Sequence, residues 1–215
     1  MWRMLPFAAM HARYFLATVS VLAPLSGAAA TLSIEVKDAA GAALPDAAVY
    51  ALPGSGKAPS RPRRDVEIAQ VERQFSPLVT VVQRGTQVSF PNRDTVRHHV
   101  YSFSPAKSFE IKLYVGTPAE PVLFDKTGDV VLGCNIHDHM RAFVYVVDTP
   151  WFAKTDAEGK ARIQGLPAGE FELAVWHFSQ SAPGAAQKLK LRADENAVAK
   201  FSVPLRRSPA PKAQK

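Results

Sequence analysis

The feature that most constrains the fold is the scarcity of long helical patterns in a chain of 215 residues that contains 17 prolines. Apolar residues instead alternate with polar ones in short stretches such as LSIEVKD (Leu32 to Asp38), which turn residues follow. This alternation is typical of strands with one buried face. The composition, 47% apolar and 21% charged, is that of a folded globular protein rather than a disordered or fibrous one. We therefore predict an all-β protein of one large domain or two small ones.

The net charge of +7 is concentrated at the two ends of the chain. Two basic residues, Arg3 and Arg13, lie near the start, and the last ten residues contain four more. Without these six, 20 basic residues remain against 19 acidic ones. The body of the protein is nearly neutral, so we expect no nucleic-acid partner.

Residues 1–30 predict a secretory signal peptide. They contain no acidic residue, and basic residues precede an apolar run from Phe15 to Leu25, which the small residues SGAAA follow. As a helix this run would rise about 16 Å, roughly half of a hydrocarbon core, so it is too short for an anchor. We expect cleavage after Ala28 or Ala30 and a soluble, periplasmic protein without a transmembrane segment.

Two histidine clusters lie outside this leader, RHHV at 97–100 and CNIHDHM at 134–140. The second cluster also contains the only cysteine, Cys134, and the only methionine outside the leader, Met140. A thiolate, imidazoles and a thioether suit copper better than a hard cation. Two histidines and a thiolate in a plane, with a weak axial methionine, form the ligand set of a blue-copper site.

The spacing of the second cluster fits such a site. Cys134 ends the apolar strand DVVLGC, His137 and Met140 follow at intervals of three, and the strand RAFVYVV (Arg141 to Val147) resumes directly afterwards. One short loop between two paired strands would supply three ligands, and the HHV stretch would supply the fourth. A loop held at both ends limits ligand movement when copper changes its oxidation state, which favours electron transfer.

Residues 66–147 resemble a cupredoxin, nearest to the amicyanin and plastocyanin group. The resemblance rests on FSPLVTVVQRGTQVSFPNRDTVRHHV and GDVVLGCNIHDHMRAFVYVV. The NRD segment is similar to the N-R-E of amicyanins before their histidine ligand, and C-x-x-H-x-x-M matches the short amicyanin loop. The resemblance implies a Greek-key β-sandwich that binds one type-1 copper ion through His98, Cys134, His137 and Met140.

Two histidines depart from the family pattern. His99 stands where the family usually has an asparagine that ties the ligand loops together, so it could donate such a bond or compete as the ligand. Strand alternation allows only one of His98 and His99 to face the copper, and the registration favours His98. A turn at Asp138 could bring His139 near the metal, and the polar DH pair replaces the apolar docking patch of amicyanins.

Residues 31–60 and 149–204 resemble pieces of the carboxypeptidase-regulatory-like (transthyretin-like) β-sandwich. LSIEVKDAAGAALPDAAVYALP and AKTDAEGKARIQGLPAGEFELAVWHF carry this resemblance, and we expect β-hairpins in both. The interpretation is one seven-stranded sandwich interrupted by a cupredoxin of residues 64–148; the alternative is two extensions packed on one cupredoxin. The proline-rich and charged residues 205–215 predict a disordered tail.

The leading functional hypothesis is a periplasmic type-1 copper protein that carries single electrons, with His137 as the exit. A copper-binding or copper-delivery protein without electron transfer is the alternative, favoured by the extra His99 and His139. The whole chain also resembles cupredoxin-containing methylamine-utilisation proteins, which implies an amine dehydrogenase or a c-type cytochrome as redox partner. We expect no enzymatic activity, because the leftover histidines are too few for an oxidase centre and no other catalytic arrangement stands out.

Overall fold

The computed structural model describes residues 29–62, 65–118 and 120–206, which form strands and connecting loops without an α-helix. The all-β prediction is confirmed, and no helix in these ranges could span a membrane. The strands in chain order are β1 (Ala30–Asp38), β2 (Ala48–Pro53), β3 (Val66–Glu67), β4 (Ala69–Val71), β5 (Gln74–Ser76), β6 (Val79–Gln83), β7 (Thr86–Ser89), β8 (His98–Ser104), β9 (Lys107–Tyr114), β10 (Val122–Phe124), β11 (Gly128–Gly133), β12 (Arg141–Val147), β13 (Phe152–Lys154), β14 (Lys160–Leu166), β15 (Gly169–Trp176), β16 (Gln187–Leu191) and β17 (Asn196–Val203).

Strands from both ends of the described chain form one small sandwich, which we call the flanking sandwich. Its two sheets have the orders β14-β1-β17 and β13-β2-β15-β16. β1 pairs antiparallel with β14 and parallel with β17, and β2 lies between β13 and β15. Apolar side chains of both sheets fill the space between them, among them Leu32, Val36, Val49, Leu166, Leu173 and Val203. The strands that pair with β1 and β2 all follow β12 in the chain. The segment from β3 to β12 is therefore inserted into this sandwich.

The predicted hairpins of the flanking sandwich are confirmed only in part. The turn at Ala40-Gly41 folds the chain back on the end of β1, where Lys37 and Ala43 form an antiparallel bridge, but β2 then joins the opposite sheet. The turns at 156–159 and at 166–169 each join strands that belong to opposite sheets. Alternation shows that a strand has one buried face, but it does not show which sheet the strand joins. Because both sheets bury their faces in the same interior, a chain that turns back can enter the facing sheet as readily as its own.

Residues 66–147 form a second sandwich, which we call the inner sandwich. One sheet has the order β10-β7-β3 and the other β6-β12-β11-β8-β9, while β4 and β5 form a separate hairpin. The turn at Arg84-Gly85 carries the chain from one sheet to the other, and Gly85 adopts a φ of 92° that favours glycine. The interior includes Phe90, Val100, Phe124, Leu132, Met140 and Val144.

One end of the inner sandwich gathers the histidine clusters. β11 ends at Gly133 and β12 begins at Arg141, and these two residues face each other in the ladder. The loop 134–140 therefore leaves and returns at the same edge. β8 begins at His98 and also pairs with β11, through Tyr101 and Gly133. The backbone thus brings residue 98 and the loop to one place.

Aromatic side chains join the two sandwiches. Tyr145 stacks on Trp176, and Phe143 stacks on Phe178, each with ring centroids 4.5 Å apart. The hydroxyls of Tyr50 and Tyr145 lie 3.1 Å apart, and burial raises the pKa of Tyr145. These contacts cover the outer face of β6 and β12, where Val79 and Val81 also pack.

The ends of the described chain differ slightly from the predicted boundaries. Ala30, the last residue of the predicted leader, is buried and begins β1, while residues 1–28 lie outside the described ranges. Leu205 forms a bridge with Gln180, and the Arg206 N–H donates to the Ser179 carbonyl. These two residues of the predicted tail therefore belong to the fold, whereas 207–215 lie outside the description.

Candidate metal centre

Three predicted ligands converge at the end of the inner sandwich. Among the described residues, His98, Cys134 and His137 form the group of side chains that could hold a metal ion, with their ligand atoms within 4.8 Å of one another. Cys134 Sγ lies 3.7 Å from His137 Nδ1, and the ring centroids of His98 and His137 are 5.0 Å apart. His98 and Cys134 are buried, whereas His137 is half-buried. The group combines a soft thiol with two imidazoles, a donor set that suits copper or zinc.

The imidazole of His98 has one nitrogen in a hydrogen bond and one without a partner. Its Nε2 lies 2.7 Å from Asp94 Oδ2, so this nitrogen carries the proton that the carboxylate accepts. Its Nδ1 is buried and has no hydrogen-bond partner. A buried imidazole nitrogen without a partner is costly, and a metal ion in the group would satisfy it. The residues present therefore fit a metal site with His98 bound through Nδ1.

Asp94 is itself held by the turn between β4 and β5. The backbone N–H groups of Glu72 and Arg73 donate to its carboxylate at 2.7 and 2.9 Å. Both turn residues have left-handed backbones, with φ of 53° and 58°, which is strained for residues other than glycine. Burial raises the pKa of Asp94, but the bonds from Arg73, His98 and Glu72 outweigh it and hold this pKa below its ordinary value. The carboxylate thus stays charged and fixes the orientation of His98.

Met140 closes the loop that carries Cys134 and His137. Its N–H donates to the His137 carbonyl at 2.9 Å, and its side chain is fully buried in the same apolar cluster as Cys134. Loss of hydration lowers the pKa of His137, and the neighbouring charges of His98 and Arg73 lower it further. The loop therefore presents a neutral imidazole and a buried thioether beside the thiol.

The two ambiguous histidines lie outside the convergent group. His139 is exposed, and its ring centroid is 6.1 Å from that of His137. His99 is buried on the opposite face of β8, where its Nε2 lies 2.7 Å from Glu110 Oε1 and its Nδ1 has no partner. Its hydrogen bond goes to β9 rather than to the loop 134–140, unlike the asparagine bond that the resemblance implies.

The sequence did not predict the buried polar pair of Tyr114 and Gln70 near Cys134. The Tyr114 hydroxyl donates to the Phe90 carbonyl at 2.6 Å, and Gln70 Nε2 donates to the Tyr114 oxygen at 2.5 Å. Burial raises the pKa of Tyr114 to about 12; the Gln70 bond opposes this and the Cys134 charge adds to it. The role of Asp94, in contrast, could have been inferred from the sequence, because Asp94 lies four residues before His98 in the NRD segment.

Comparison with known proteins finds similarity in structure alone. No family model matches the chain, and no curated protein matches its sequence. A copper-containing nitrite reductase from Thermus scotoductus matches 44% of this chain at 24% identity with a TM-score of 0.37, and this chain covers 25% of that enzyme. A purple cupredoxin from Nitrosopumilus maritimus matches 39% of this chain at 22% identity and is covered completely, with a TM-score of 0.34. A reduced amicyanin variant matches 46% of this chain at 18% identity and is covered to 99%, with a TM-score of 0.36.

Each of these three structures matches less than half of the chain. The predicted all-β fold is confirmed by the strands and by their order in the sheets.

Proposed function

We propose that the protein is a periplasmic type-1 copper protein that carries single electrons between redox partners. One copper ion would be held by His98, Cys134, His137 and Met140, and when bound it supplies a one-electron couple. The observation that carries the proposal is the buried, unpartnered Nδ1 of His98 beside the Cys134 thiol and His137.

Each side chain has a role that its surroundings support. The Cys134 thiolate would be the strong soft ligand, and the buried Met140 thioether would be a weak fourth one. Asp94 fixes the His98 tautomer, so Nδ1 is free to bind metal. His137 is half-buried, so its outer edge is the exit by which an electron reaches a partner.

The proposed location follows from the leader. Cleavage after Ala28 would leave β1 whole, whereas cleavage after Ala30 would remove a buried strand residue that pairs with Leu166. We propose an electron carrier rather than an enzyme, with an amine dehydrogenase or a c-type cytochrome as partner, as the sequence resemblance implies.

Copper delivery is the second candidate, because His139 is exposed and its ring lies 6.1 Å from that of His137. An exposed imidazole beside a half-buried one would let a receiving protein draw copper out through ligand exchange. His99 does not favour this candidate, because it lies on the other face of β8.

The decisive experiment is the visible and EPR spectrum of the protein produced without residues 1–28 and loaded with Cu(II). We expect an intense thiolate-to-copper band and narrow copper hyperfine splitting, both absent in Cys134→Ser. A pale spectrum with wide splitting that survives Cys134→Ser would reject the type-1 site and favour copper delivery.

Two neighbouring histidines provide a matched control. His98→Gln removes the imidazole with the unpartnered Nδ1, so the band should disappear. His99→Gln makes the same change on the opposite face of the strand and should retain the band. The reverse result would show that His99 is the ligand.

A further inference from the structure

A cavity of about 560 Å³ lies where the two sandwiches meet, around the outer edge of β6. Among the described strands β6 pairs only with β12, and β13 pairs only with β2, so each is an outer strand of its sheet. The cavity extends from the opening between β6 and β3 to a wall formed by β13 and β14. Its volume is that of a small-molecule site.

The side of the cavity next to the flanking sandwich is apolar. Val79 and Val81 pack at the junction of the sandwiches, and Trp151 and Phe152 line the opposite wall. The indole N–H of Trp151 is already bound, because it donates to the Gly165 carbonyl at 3.0 Å. This side therefore offers ring and aliphatic surface to a ligand.

The polar end of the cavity is the hydroxyl of Thr80. Because Thr80 lies between Val79 and Val81 in β6, its side chain points to the other face, into the space between the two inner sheets. Thr80 is only 9% exposed, and its Oγ1 is buried without a hydrogen-bond partner among the described residues. A buried hydroxyl without a partner is costly, and a molecule in the cavity would supply the missing partner.

The charged residues at the rim of the cavity are paired or exposed to water. Glu67 lies 2.7 Å from the Arg93 guanidinium, and Lys154 Nζ lies 2.6 Å from Asp46 Oδ1. Arg61 is exposed. A charged ligand would therefore find no buried counter-ion in the described lining, and the chemistry of the walls favours a neutral one.

We propose that this cavity binds a small, neutral aromatic molecule with one hydroxyl group, whose ring packs against Trp151 and whose hydroxyl bonds to Thr80. The site is separate from the metal group, because its described lining includes neither His98 nor the loop 134–140. The inference therefore does not rest on the proposed function. Both sandwiches supply walls, so a bound molecule joins them without any covalent step.

The test compares 2-naphthol with naphthalene, which has the same rings but no hydroxyl. NMR titrations of the metal-free protein, produced without residues 1–28, give the two dissociation constants. The preference for 2-naphthol over naphthalene should fall about five-fold in Thr80→Val, which keeps the shape of threonine but not its hydroxyl. Thr80→Ser should keep the preference. The same preference in the wild type and in Thr80→Val, or no binding of either molecule, would overturn the proposal.

The position of the ligand can be read from the indole N–H signals in the same titration. Trp151 lines the cavity, whereas Trp176 stacks on Tyr145 and lines a different groove. Trp151→Phe assigns the two signals. We expect 2-naphthol to shift the Trp151 signal more than the Trp176 signal, and the reverse order would place the ligand elsewhere and refute the site.

Thermal unfolding without ligand tests whether the Thr80 hydroxyl is truly unpartnered. Thr80→Val should not lower the midpoint of unfolding, because the hydroxyl that it removes makes no bond within the fold. Addition of 2-naphthol should raise the midpoint of the wild type, since the ligand binds the folded state. A lower midpoint for Thr80→Val would show that the hydroxyl has an internal partner, and the proposal would fail.

Discussion

The carboxylate of Asp94 is expected to stabilise the metal-free protein, and Asp94→Ala tests this. The change removes the acceptor for three hydrogen bonds, from Glu72 N at 2.7 Å, Arg73 N at 2.9 Å and His98 Nε2 at 2.7 Å. The Asp94 side chain is only 14% exposed and that of His98 is fully buried, so water replaces the lost acceptor poorly at the imidazole.

The expected loss follows from these three bonds. A buried imidazole N–H without an acceptor costs about 1–3 kcal/mol, and each exposed turn N–H loses about 0.5–1 kcal/mol net because it can bind water. The free energy of unfolding should therefore fall by about 2–5 kcal/mol. Copper affinity should also fall, by about 10–100-fold, because the tautomer of His98 is no longer fixed.

The assay is urea unfolding of the apoprotein followed by circular dichroism, with copper affinity measured by competition with a chelator. Asp148→Ala is the matched control, directly after the last strand of the same sandwich. Asp148 pairs with Arg84 at 2.9 Å, but both side chains are about half exposed, so its removal should cost about 0–1 kcal/mol. If Asp94→Ala lost no more stability than Asp148→Ala, the reasoning about Asp94 would be refuted.

Three further changes test other parts of the structure. Under the proposed assignment Met140 is a weak fourth ligand, so Met140→Leu should keep the thiolate-to-copper band and raise the reduction potential; loss of copper would show that Met140 is a principal ligand. Burial raises the pKa of Tyr114 from 10.0 in the unfolded chain to about 12 in the fold, so the unfolded chain loses this proton first as the pH rises. The free energy of unfolding is therefore unaffected by Tyr114 below pH 10 and declines between pH 10 and pH 12. After discounting for partial exposure the Tyr114 share of this decline amounts to about 1–2 kcal/mol. Urea unfolding at pH values below and above 10 should therefore show a decline that is smaller by about this amount in Tyr114→Phe than in the wild type, while the buried Tyr145 contributes equally to both proteins. Thr155 is buried, and its hydroxyl accepts from Ala47 N and donates to the Leu44 carbonyl. In thermal unfolding, Thr155→Val should lower the free energy of unfolding by about 2–3 kcal/mol, whereas Thr155→Ser keeps the hydroxyl and should lower it little. Equal losses in the two variants would contradict this role.

The sequence predicts the strands and the clamped loop well because both are local features. Alternation marks the buried face of each strand, and the intervals between Cys134, His137 and Met140 place them in one loop whatever the rest of the fold does. Strand alternation also shows locally that only one of His98 and His99 can face the loop, but the choice of His98 came from the resemblance to the family pattern.

Features that depend on distant pairing could not be predicted. Nothing in the pattern shows that Tyr145 stacks on Trp176, because an outward position can face solvent or a second sandwich. The hydrogen bonds that Glu72 N and Arg73 N donate to Asp94 could not be predicted for another reason. The turn at Glu72 and Arg73 contains no glycine or asparagine, the usual sign of a left-handed hairpin turn.

The pairing of β1 also determines the order in which this protein can assemble. Its two neighbours, β14 and β17, both follow the inner sandwich in the chain. When the chain emerges from its N-terminal end, every strand of residues 66–147 is available before either neighbour of β1 exists. The inner sandwich can thus fold while β1 still has open edges, which can pair with other chains until β14 covers one edge and β17 covers the other. Early completion of the inner sandwich would bring the ends of the insertion together and shorten the loop that β17 must close.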